Sequence, residues 1–111
     1  MTNLKQILGE YMQAAEGTGN EDPNVANMWH GILHQKYRIL RTSESGRQGI
    51  SAMINHGDPH VCCWAAAHSL EWDADAAKKS LESLRDAGEA CAFDAEMILR
   101  EHMKGRLTFN Y

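Results

Sequence analysis

Asp58-Pro59-His60-Val61-Cys62-Cys63-Trp64-Ala65-Ala66-Ala67-His68-Ser69-Leu70 is the stretch that decides the fold. Aspartate before proline is a helix start. The carboxylate accepts from orphan amides of the first turn, and proline's missing N–H would have had no partner there. The helix that follows, His60 to Trp72, is apolar nearly all round. A helix without a polar face has to be covered on more than one side, so this one is expected at the centre, between neighbouring helical hairpins.

Working outward, His56-Gly57 closes a shorter helix expected over Gln48 to Asn55, carrying Ile50, Met53 and Ile54 after a polar break at Ser43 to Gly46. Before it, Asp22-Pro23 repeats the start signal. A long second helix then runs to about Thr42, with Val25, Met28, Trp29, Ile32, Leu33, Tyr37 and Leu40 on one wide face. The first helix, Thr2 to about Glu16, places Leu4, Ile7, Leu8, Tyr11, Met12 and Ala15 on one stripe, capped by Thr2 or Asn3, and Gly17 to Asp22 breaks it. Beyond the central segment, Asp73 is expected to cap a fifth helix carrying Ala74, Ala77, Leu81 and Leu84 up to Gly88. A sixth runs from about Glu89 to Lys104, and residues 106–111 are expected as an extended tail.

No segment alternates like a strand, so the fold is expected to be all-α. Short breaks make successive helices antiparallel neighbours: three hairpins in a right-handed, HEAT- or armadillo-like α-solenoid stack, one domain over residues 1–105. Leu8, Ile32, Leu33, Ile54, Val61, Ala65, Leu81, Leu84, Ala95 and Leu99 are the expected core. The pattern Asp58-Pro59-x-Val61-x-x-Trp64-Ala65-Ala66-x-x-x-Leu70, followed by Asp73, Ala76-Ala77, Leu81, Gly88 and Phe93-Asp94-Ala95-Glu96-Met97-x-Leu99-Arg100-Glu101, resembles the small bacterial family catalogued as "domain of unknown function twenty-nineteen". The resemblance covers roughly residues 50–105, with Cys62 and His102 departing from its pattern. It implies a single HEAT-like helical domain with no assigned chemistry, of the kind that also serves as immunity proteins against secreted toxins.

Composition bounds the function. The chain has 111 residues, 43% hydrophobic and 23% charged, which suits one globular domain and argues against disorder. In the C-terminal half the stretch Val61 to Leu70, free of Asp, Glu, Lys and Arg, is about half of a membrane span. The amphipathic N-terminus is unlike a signal peptide, so a cytoplasmic location is expected. Fifteen acidic against eleven basic residues, with no Lys/Arg run, disfavour nucleic acid and suit a basic protein partner, although such a charge also serves solubility alone. Three cysteines, two of them adjacent, do not make a disulfide framework.

The residues that could carry chemistry are few. His30 and His34 lie one turn apart, but Gly31 replaces the glutamate of an H-E-x-x-H motif. With Trp29, Arg38 and Arg41 they are expected to form a partner-binding surface. His56, His60, Cys62, Cys63 and His68 crowd the second Asp-Pro step and invite a metal or thiol reading, yet Cys62 and Cys63 must point to different sides of one helix. Cys91, near the start of the sixth helix, could be paired with His102 or His68 as a nucleophile. No Walker loop, dinucleotide fingerprint or nucleophile elbow is present. The expectation is therefore a non-catalytic protein-interaction domain without metal or cofactor, in its sharpest form an immunity protein binding a toxin. The alternatives are a small metal- or thiol-dependent enzyme using the His56/His60/Cys62/Cys63 region, and a structural homo-oligomer such as a homodimer.

Overall fold

The computed structural model describes residues 3–105. Among these there are six helices and no strand: α1 (Leu4–Gly17), α2 (Pro23–Leu40), α3 (Glu44–Ser51), α4 (Pro59–Ser69), α5 (Ala74–Ala87) and α6 (Ala92–Met103). The fold is all-α, and none of these helices is long and apolar enough to cross a membrane. The tail expected for 106–111 lies outside the described residues. The chain gathers into two compact units that divide between Ile50 and Ser51.

In the first unit α1 and α2 form an antiparallel hairpin. Gly17 lies against Trp29, and Glu10 is bridged to Lys36 at 3.0 Å. Seven residues back along α1 are thus matched by seven residues forward along α2. Ile7, Tyr11, Ala14 and Ala15 of α1, Leu33, Tyr37 and Leu40 of α2, and Ile50 of α3 are buried. Leu8 and Ile32, expected in the core, are only half-buried, and Met28 points to solvent. The caps obey the sequence: Asn3 Oδ1 accepts from the Lys5 amide at 3.0 Å and Asp22 Oδ1 from Asn24 at 2.9 Å.

The third helix starts four residues earlier than expected and ends at Ser51. Ser43, read as part of a break, accepts the Gly46 amide on its Oγ at 3.0 Å and the Arg47 amide on its carbonyl at 3.1 Å, so it opens the helix. Residues 52–55 are turn.

The second unit is organised by α4, which packs against α5 and α6, while α5 also packs against α6. Asp58 Oδ1 accepts from the amides of His60 (2.8 Å) and Val61 (3.2 Å), and Pro59 occupies the first turn. One side of α4 supplies Cys63, Ala66 and Leu70 to a core shared with Ile54, Ala77, Leu81, Ala95 and Leu99, against which Leu84 is partly buried. Val61, Ala65, Ala67, His68 and Ser69 are buried as well, so this helix is covered on more than one side, with Trp64 half-buried. It ends at Ser69 rather than Trp72 because the chain turns there: the Asp73 amide donates to Ser69 O at 2.6 Å, and Trp72 Nε1 donates to Ser51 Oγ at 2.8 Å. Asp73 stands at the N-cap of α5 but its side chain makes no capping bond. Gly88, at φ 65°, closes α5 in the left-handed conformation that glycine adopts without steric cost.

Ala65 has no exposed surface. An Ala65→Asp substitution buries an unpaired carboxylate, costing several kcal/mol against a total stability of about 5–15 kcal/mol for a domain. Urea denaturation followed by circular dichroism should show a large loss of stability or no cooperative transition.

Candidate functional site

Two places hold the residues that the sequence singled out. The first is the flank of α2. His30, His34, Arg38 and Arg41 recur at intervals of three or four and share one side of the helix. The imidazoles of His30 and His34 meet edge to face with centroids 6.0 Å apart. The Arg41 guanidinium lies 5.4 Å from the centroid of the buried Tyr37 ring, a cation–π contact that holds this charge at the helix end, while Arg38 is exposed. Trp29 sits apart from this row. Its indole packs on Gly17 so closely that a Cβ there would overlap the ring, which makes it a half-buried part of the α1–α2 contact. Sequence reasoning missed the outward line of α2, where Met28 and Ile39 are 52% and 44% exposed. They are eleven residues apart, so at 3.6 residues per turn they point nearly the same way. The one signal was Ile39, which falls outside the apolar stripe.

Electrostatics on this flank favours neutral histidine. Burial, followed by the charges of His30 and Arg38, holds the His34 pKa below its ordinary value. Between the folded value and that ordinary value the unfolded chain binds more protons, so stability rises with pH through the window and falls on acidification below about 6.5. Stability measured at pH 7 and pH 5.5 should therefore fall less in His34→Gln than in the unchanged protein. Equal losses would remove His34 from the pH response.

The second place surrounds the start of α4. Cys62 and Cys63 do face different ways. Cys62 Sγ donates to Ile54 O at 2.8 Å and lies 3.1 Å from Ser80 Oγ, whose hydroxyl donates to the same carbonyl at 2.7 Å. Cys63 faces the core, in the cluster against which Cys91 packs. Cys91 Sγ is also 3.2 Å from His60 Nδ1. The structure therefore gives Cys91 a partner that was not expected: His60, in place of His102 or His68. His68 is buried beside Trp64, with ring centroids 5.5 Å apart. His56 is occupied locally, its Nδ1 accepting the Asp58 amide at 3.0 Å. It also lines a 430 Å³ cleft with Asn55, Cys62, Lys79, Ser80 and Ser83. Among the described residues, no three His, Cys, Asp or Glu side chains converge as a metal site would need.

Cys91 is unusual in two respects. Its φ of 70° makes it the one described residue other than glycine in the left-handed region, which costs an L-residue about 1–2 kcal/mol. It is also the N-cap of α6, with its carbonyl accepting the Ala95 amide at 2.8 Å. The hydrogen bond from Cys63 lowers the Cys91 thiol pKa, opposed by partial burial and by Asp94 and Asp58. The same bond and burial push Cys63 up. The outer thiol therefore ionises before the inner one.

Set beside known proteins, the chain matches no family model, no curated protein and no solved structure.

Proposed function

We propose that this chain is a non-catalytic, protein-binding helical domain that docks an acidic, amphipathic segment of its partner along α2. The observation that carries the reading is the alignment of exposed Met28 and Ile39 on the outward line of α2, with exposed Arg38 about 80–100° round the helix from them. Scattered apolar side chains on a surface are ordinary, but two on one line with an exposed arginine next to it form an amphipathic strip. Arg38 gives that strip a positive charge in a chain of net charge −4. Complementary charge would steer the partner, and the apolar pair would supply the contact that survives salt. A second copy of the chain docked on the same line of α2 would bring one Arg38 towards the other.

The HEAT-like arrangement, the bacterial setting and the toxin-immunity role belong to this reading through the family resemblance alone. A cytoplasmic location is supported by three free cysteines, two of them buried.

The test uses the chain as bait in its native cells and in co-expression with a toxin encoded beside it. A specific partner should be retained by the unchanged protein and lost by Arg38→Glu combined with Met28→Asp. Binding should weaken as salt rises, since Arg38 is the exposed cation next to the apolar line. Retention by the double variant would sink the α2 assignment, and absence of protection would sink the immunity role.

A further inference from the structure

We infer that Cys91 and Cys63 form a hydroperoxide-reactive thiol pair: Cys91 is the attacking sulfur, Cys63 the thiol that resolves it into an intrachain disulfide, and His60 the proton carrier. This assignment is independent of the α2 docking surface.

The fold brings three groups together from α4 and the start of α6. Cys63 lies on α4, Cys91 opens α6, and His60 stands in the first turn of α4, with its Nδ1 3.2 Å from Cys91 Sγ. Cys91 is half-buried and packs on the core cluster that contains Cys63, which is 5% exposed. A small oxidant can therefore reach the outer sulfur while the inner one waits behind it. The left-handed backbone at Cys91 is a second, independent feature, because a strained position of this kind persists only where its surroundings hold it. Asp58 and Asp94 also act on Cys91, and both oppose ionisation. Cys63 is the group that favours the thiolate against them, and His60, 3.2 Å away, is the neighbour placed to take the proton. Cys62 is excluded, since Ile54 O and Ser80 Oγ hold its thiol on another side of α4.

The chemistry balances with a hydroperoxide as the oxidant. Cys91 gives its proton to His60 and its sulfur attacks the terminal peroxide oxygen. The S–O bond forms as the O–O bond breaks, and the leaving oxygen takes the proton from His60 to depart as water or an alcohol. Cys63 sulfur then attacks the Cys91 sulfenic sulfur. An S–S bond replaces the S–O bond, and the hydroxide leaves with the Cys63 proton as water. Two thiols lose two electrons and the peroxide gains them. Cys91 packs on the cluster that holds Cys63 and the two thiols already influence each other, so closing the bridge means bringing their sulfurs to the roughly 2.05 Å of a disulfide.

The test treats the reduced, folded chain with hydrogen peroxide, quenches it with iodoacetamide and maps the peptides by mass spectrometry. The expected product is a Cys63–Cys91 crosslink within one chain, short of two hydrogens, with Cys62 alkylated. In Cys63→Ser the reaction should stop at a sulfenic acid on Cys91 that dimedone traps, and His60→Gln should slow its formation about tenfold. Cys62→Ser should behave as the unchanged protein. A bridge involving Cys62, crosslinks only between chains, or oxidation of Cys91 no faster than of Cys62 would each overturn the inference. Should a serine variant fail to fold, the map of the unchanged protein alone decides between these outcomes.

Discussion

Burial of α4 on more than one side is the constraint on which the second unit depends. A helix covered in this way can be approached closely only if its side chains are small, and Ala65, Ala66 and Ala67 meet that need at successive positions. Close approach in turn leaves no room for unsatisfied polar groups. The helix therefore begins on an aspartate that takes two amides, and its buried thiol at Cys62 shares one carbonyl with Ser80. The last turn hands over to Trp72, whose indole N–H finds Ser51. Each of these bonds answers a demand set by the covering of the helix.

The same constraint separates the two adjacent cysteines. Neighbouring residues on a helix point about 100° apart, so in a covered helix they enter different surroundings. Cys62 enters a polar knot with Ile54 and Ser80, whereas Cys63 enters the apolar cluster and meets Cys91 there. The pair was readable in sequence as two core fillers, and both are buried. What distinguishes them is the third cysteine, whose position depends on how α6 returns to α4. That return is a matter of tertiary packing, and no spacing in the sequence encodes it.

Elsewhere legibility follows the same line between local and distant causes. The two Asp-Pro steps and the stop at Gly88 were readable because each is a local bargain between a side chain and backbone amides or between a residue and its φ. The start of α3 was local too, yet Ser43 has two local readings, as a turn residue and as a cap, and the glycine at 46 favoured the wrong one. The capping bond at Asp73 was expected from residue type alone; the tight turn that sends its amide to Ser69 leaves the carboxylate unused for that purpose. His60 stood in the suspect cluster from the start, but its true neighbour is 31 residues further along.

The α2 surface shows how packing narrows an apolar stripe. Seven positions of that helix suit a wide buried face, but Leu33, Tyr37 and Leu40 alone among them are fully covered. The reason lies at the other end of the hairpin. Gly17 brings the last turn of α1 against Trp29, and the Glu10–Lys36 bridge fixes the antiparallel register seven residues away. Once Trp29 occupies that contact, Met28, about 100° round the helix, is turned outward. Ile39 falls on the same line three turns later, so the geometry that settles the hairpin also leaves its apolar strip beside Arg38.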